Sequence, residues 1–255
     1  MRALLCILSL LCLPQQAAAD EGFLDLLWQD SRSVFTAPAR WDRQDWQDVG
    51  MATATVLGTA LVIDRPLRDT MRKQDQGNRF WLEVEKFGRE YALLTMAGLY
   101  AGGLAGDDKA MAAAQDSLIT SIIASGVIVT GIKTAVGRAR PLDNKGIYYS
   151  QPFTDPNSSF PSGHAAQAFS VAAVLAEYYD EPWQQASFYG VATLAALARP
   201  YHDKHYASDL VASAFISIWT AKHVVRMNRD LRQHEVLVLP TPLPDGAALH
   251  LVWRF

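Results

Sequence analysis

The sequence predicts an all-α protein, a helical bundle of about six core helices followed by a short C-terminal β-hairpin. Three observations predict it. Six apolar stretches rich in Ala, Gly and Ser recur between Val49 and Val225, and none shows the period-two alternation of a half-buried strand. These stretches break off at Pro, Gly or charge clusters, as helices do. Half of the 255 residues are hydrophobic and 10% aromatic, enough for one large domain with a self-sufficient core and too apolar for a disordered chain.

Taken in order, residues 1–19 have the layout of a secretory signal peptide: Arg2, an apolar run over 3–13, then Ala17, Ala18 and Ala19 before an expected cut at Asp20. The run is short for a membrane span. Both cysteines, Cys6 and Cys12, fall inside it, so the exported chain is expected to fold without disulfides. The expected location is the periplasm or the periplasmic side of a cell-envelope membrane. Residues 20–48 read as an N-terminal arm. Phe23, Leu24, Leu27 and Trp28 fall at helical spacing, and Trp41 and Trp46 alternate with charges, a pattern that either caps a core or rests at a membrane interface.

A helical domain over 49–230 follows, with helices expected at 49–63, 91–106, 117–133, 164–179, 183–198 and 207–225. Their small residues let backbones approach closely. Most of these runs stop short of the about 20 apolar residues of a membrane span, and the mean hydropathy of the chain is only +0.02. The expectation is a periplasmic bundle with membrane contact. Residues 64–89 and 141–160 read as irregular, on charge, Gln76-Gly77-Asn78 and Pro152 and Pro156. The tail, 231–255, reads as the hairpin: an apolar run at 236–239, turn residues at 240–246, then alternating Leu249, Leu251, Trp253 and Phe255. A formal charge of −3 excludes the basic face of a nucleic-acid binder.

Three blocks carry chemistry. Lys133 and Arg140 lie seven residues apart, close to two helical turns, so both cations can project from one face. Ser162, Gly163 and His164 open a helix: Ser162 can cap it, Gly163 lets a ligand approach the backbone, and the free amides favour an anion. His205 and Asp209 stand at i and i+4, where the carboxylate can hold one ring nitrogen and leave the other as a nucleophile, with Arg199 as a further oxyanion clamp. Each block alone has an ordinary explanation: a basic helix end, a capped helix start, a surface ion pair. Their combination, ten residues in three spaced blocks in a fixed order, is too specific for all three ordinary explanations to hold together. No Asp, Glu or His cluster at metal-ligand spacing accompanies them; His202 and Asp203 are a lone pair.

The three blocks resemble the signature of the type 2 phosphatidic acid phosphatase and vanadium haloperoxidase superfamily: Lys-x6-Arg-Pro, Pro-Ser-Gly-His and Ser-Arg-x5-His-x3-Asp. One departure is Ala198, where the third motif usually begins with Ser. The resemblance implies a helical fold and a metal-independent phosphatase with no cofactor. His205 would form a phosphohistidine, Asp209 would orient it and His164 would protonate the leaving oxygen. Lys133, Arg140, Arg199, Ser162 and the Gly163 amide would bind the phosphoryl oxygens. The expected substrate is a phosphomonoester or diphosphate, foremost a lipid phosphate of the envelope. The alternatives are a soluble broad-specificity acid phosphatase, a vanadium haloperoxidase and a non-catalytic envelope protein. Vanadate is an expected inhibitor, and a cofactor only under the haloperoxidase alternative.

Overall fold

The computed structural model describes residues 22–74, 77–154, 158–233, 236–243 and 246–253; the expected signal peptide lies outside them. Among the described residues the chain forms α1 (Phe23–Thr36), α2 (Arg43–Val62), α3 (Asp64–Met71), α4 (Arg79–Glu85), α5 (Glu90–Leu104), α6 (Asp108–Thr120), α7 (Thr130–Val136), α8 (Gly163–Tyr178), α9 (Pro182–Tyr201) and α10 (Ala207–Gln233). A π-helical stretch, Ser121–Val129, joins α6 to α7.

Helix α8 is the axis of the bundle, with 11 of its 16 residues buried. It is apolar on every side, as a helix surrounded by others must be. Ala165, Ala168 and Ala172 pack against Ala192, Ala195 and Ala196 of α9 and Leu210 of α10. Short side chains at these positions bring the three helices close together. The Ser213 hydroxyl donates to the Ser162 carbonyl (2.9 Å) and that of Ser217 to the Ala166 carbonyl (2.9 Å), fastening α10 to the start of α8. Helix α1 joins through Val34, which meets Ile119, Ile123 and Val224. A buried polar knot adds to this: Asn228 donates to Asp30 (3.0 Å) and to Asp116 (2.9 Å), and Arg232 and Tyr178 close on Asp116.

The fold has an apolar exterior as well. Helix α2, capped by Asp42 accepting from Gln44 N (2.7 Å), buries none of its residues and exposes Trp46, Met51, Leu57, Leu61 and Val62. Among the described residues one stretch, Asp108–Val136, is long and apolar enough to cross a membrane.

The expected fold class needs correction in two respects. Among the described residues of 22–233 the bundle holds no strand, so its architecture is helical and the expected hairpin is no part of it. The segments Val236–Leu243 and Gly246–Trp253 face each other antiparallel, Val236 opposite Trp253, and add no sheet layer to it. Two strands offer too little surface to build a layer of their own. Among the described residues the chain also forms ten α-helices, several of them short, where about six core helices were expected. Residues 64–89, expected to be irregular, hold α3 and α4, and the Trp-rich arm runs into α2 without a break at Val49. High charge masked these helices because their apolar residues are few and the rest face solvent.

Candidate active site

Helix α7 ends at Gly137, whose φ of +61° is left-handed; a Cβ there would lie 1.9 Å from the Gln151 carbonyl oxygen. Only glycine fits such a position. The turn sends Arg138 into the core, while Lys133, one turn earlier, reaches residues 158 and 159. Its ammonium donates to the Ser158 carbonyl and, at 3.5 Å, to that of Ser159; the Ser158 hydroxyl donates back to the Lys133 carbonyl (2.8 Å).

The same Ser159 carbonyl accepts from His205 Nδ1 at 2.7 Å. A carbonyl only accepts, so the ring hydrogen is on Nδ1 and the Nε2 lone pair is left for chemistry. Asp209 Oδ2 lies 3.5 Å from the same Nδ1, and it accepts from Tyr206 N (2.8 Å) and from the Ser159 hydroxyl. Its other oxygen accepts from Arg138 Nη1 at 2.6 Å. Arg138 is spent entirely inside the protein: Nη2 donates to Asp64 (2.8 Å), Nη1 to the Ser208 hydroxyl (2.8 Å) and Nε to the Ile147 carbonyl (2.9 Å). Burial pushes the His205 imidazole down to about 4, against the pull of Asp209. Burial alone would raise Asp209, but His205, Arg138 and Ser159 hold it below the usual carboxylate value.

Ser162 caps α8, its hydroxyl accepting from Ala165 N (3.4 Å), and its own amide donates to the Asp209 carbonyl (3.2 Å). In front of Gly163 there is open space, since a Cβ would meet nothing within 4 Å. His164 packs on Gly88, where a Cβ would come within 3.3 Å of the imidazole Cδ2. Burial, then the Arg199 charge, push His164 down to about 3, with Glu85 opposing and His205 adding to the depression. Both imidazoles are therefore neutral at pH 7.

Arg199, 4% exposed, closes the ring of charges. Its guanidinium pairs with Glu85, and its Nε has no hydrogen-bond partner among the described residues. Arg140 acts on Arg199, and Arg199 and Lys133 both act on His205. A cavity of about 260 Å³ lies on the Arg140 side, lined by Arg138, Arg140, Lys145, Tyr149, Gln151 and Ser158.

The residues singled out in the sequence therefore lie in one neighbourhood, from stretches far apart in the chain. Sequence reasoning missed Arg138, Asp64, Ser159, Glu85 and Gly88. Arg138 was visible as a second arginine in the first block; the others carry no local signal. His202 approaches Glu85, Nε2 to Oε2 3.1 Å, while Asp203 pairs with Arg68 (3.8 Å) and Arg72. Among the described residues no group of three or more His, Cys, Asp or Glu is placed to hold a metal.

Residues 117–233 match the PAP2 superfamily. The chain is 30% identical over 106 residues to a lipid A 1-phosphatase of Rhizobium etli, covering 40% of this chain and 45% of that protein. It is 25% identical over 141 residues to a lipid A 1-phosphatase of Porphyromonas gingivalis, covering 54% and 29%. The chain thus spans less than half the length of these curated relatives. Among solved structures, LpxE of Aquifex aeolicus is similar with a TM-score of 0.49 and 22% identity, over 65% of this chain and 94% of that one. A transmembrane PAP2-type phosphatidylglycerolphosphate phosphatase of Bacillus subtilis gives 0.44 and 14%, over 84% and 98%.

Proposed function

We propose, from the match of residues 117–233 to the PAP2 superfamily, that the chain is a phosphoric ester hydrolase acting on a lipid phosphate of the cell envelope through a phosphohistidine at His205. The observation that carries the reading is the pinning of His205 Nδ1 at the Ser159 carbonyl beside Asp209, within reach of the charges of Lys133 and Arg199. A neutral imidazole held by one nitrogen presents the other to an electrophile.

In this reading Nε2 of His205 attacks phosphorus as the P–O ester bond breaks, and His164 gives its proton to the leaving oxygen. Water then attacks the phosphohistidine, His164 takes the water proton, and the P–N bond breaks to release phosphate. Lys133, Arg140 and Arg199, with Ser162 and the Gly163 amide, meet the phosphoryl oxygens. Phosphoryl transfer asks chiefly for such positioning and charge neutralisation.

The lipid substrate is supported by the relatives, which are named for lipid A 1-phosphate, and by the exposed apolar side chains of α2, which suit contact with a membrane from its periplasmic side. The test is acid-quench labelling with a ³²P-labelled lipid phosphate in mixed micelles, beside p-nitrophenyl phosphate as a soluble substrate. A trapped phosphoenzyme is expected with the natural chain and none with His205→Ala, whose turnover falls by roughly 10⁴-fold or more. Normal turnover in His205→Ala refutes the assignment, and equal rates on the soluble ester remove the lipid preference.

A further inference from the structure

Glu85 holds a place that the reaction needs for something else. It is the last residue of α4, and its carboxylate meets three basic side chains: the Arg199 guanidinium, Lys204 Nζ at 3.4 Å and His202 Nε2 at 3.1 Å. Arg199 is also one of the groups assigned to the phosphoryl oxygens, and one N–H cannot serve the carboxylate and a phosphate fully at once. The buried Arg199 Nε, without a hydrogen-bond partner among the described residues, is a second donor left over for an oxyanion.

The segment bearing Glu85 is two-sided. Inward, Trp81 stacks on Tyr201 with ring centres 5.3 Å apart, the Tyr201 hydroxyl accepts from Asn78 N (3.2 Å), and Gly88 lies against His164. Outward, Phe80, Leu82 and Phe87 are exposed. An apolar surface thus sits on the same short piece of chain as the carboxylate at the charged site.

Building on the phosphatase reading, we propose that Glu85 is a specificity-determining residue: a resident carboxylate on Arg199 that substrate phosphate must displace, admitting phosphates attached to an apolar body over small soluble ones. Inorganic phosphate or a small ester meets the competing carboxylate with nothing to offset it. A lipid phosphate adds burial of the exposed Phe80, Leu82 and Phe87, which offsets that competition.

The test measures binding of inorganic phosphate and orthovanadate to the full chain by calorimetry, with KM for a lipid phosphate and for p-nitrophenyl phosphate. In Glu85→Gln, phosphate and vanadate are expected to bind at least tenfold tighter, and KM for the soluble ester to fall more than that for the lipid. Glu85→Asp, which keeps the charge but withdraws it by one methylene, is expected to fall between the two and covers the case in which Glu85→Gln fails to fold. Leu82→Ser is expected to raise KM for the lipid alone. Unchanged or weaker phosphate binding in the Glu85 variants, with the natural chain binding normally, overturns this proposal and spares the phosphatase reading. If the natural chain binds neither anion, both fall.

Discussion

Arg138→Gln removes the one cation between two buried carboxylates, Asp64 at 1% and Asp209 at 0% exposure. In the natural chain the guanidinium also holds Ser208 and the Ile147 carbonyl and lies 4.1 Å over the Tyr206 ring. Glutamine offers an uncharged amide that can reach one carboxylate at most. Breaking a buried ion pair by removing one partner costs about 3–5 kcal/mol, because the other charge is left unpaired. Two carboxylates lose their guanidinium here, but Asp64 keeps the Ser208 amide and hydroxyl and Asp209 keeps Tyr206 N and the Ser159 hydroxyl, which holds the cost within that range. For a domain of this size each kcal/mol moves Tm by about 2–4 °C, so a fall on the order of 10 °C is expected in a thermal melt. Turnover should fall too, with KM holding better than kcat, because Asp209 loses the partner that aims it at His205. Adding Asp64→Asn removes one of the two charges and should restore part of Tm without restoring kcat; the non-additivity is the signature of a shared ion pair. A Tm drop under 2 °C with turnover intact, or strict additivity in the double variant, refutes the reasoning.

Two further outcomes concern the site and the pH response. Gly88→Ala places a methyl about 3.3 Å from the His164 ring, tight enough to push the imidazole by a few tenths of an ångström. Because positioning dominates this chemistry, kcat on a lipid phosphate should fall several-fold with Tm nearly unchanged; an unaltered kcat would remove His164 from the proton-transfer role. Stability should carry two opposed pH trends. His205 at about 4 and His164 at about 3 sit below the ordinary 6.5, so their contribution is complete above pH 6.5 and is lost as pH falls toward 4. Asp30, raised to about 7 chiefly by burial and also by Asp116, contributes fully below the ordinary 3.8 and loses that contribution as pH rises through 7. Asp30→Asn should therefore raise Tm over the natural chain at pH 8, with the gain shrinking toward pH 4; an equal gain at both ends would show that Asp30 is not titrating.

The helical class and the spacing of the three chemical blocks were legible in the sequence because each rests on short-range spacing, whereas Arg138, Asp64, Ser159, Glu85 and Gly88 were not. A residue pair at i and i+4, a serine before a helix and two cations two turns apart are set by backbone geometry alone. The extents of α3 and α4 were not legible, since a short charged helix carries little apolar periodicity. Nor was the absence of a β layer, because alternation reports that a strand can form and not that anything packs on it.

What only the tertiary structure decided is the pairing of charges. Arg138 finds Asp64 74 positions away and Asp209 71 away, and Arg199 finds Glu85 114 away. Such pairs form when the packing of α8, α9 and α10 brings distant backbones together, and their strength follows from burial, a property of the assembled bundle and not of any stretch of chain. The sequence by itself determined the order and spacing of Lys133, Arg140, Ser162, His164, Arg199, His205 and Asp209; packing decided that Arg138 turns inward to hold Asp209 and that Arg199 meets Glu85.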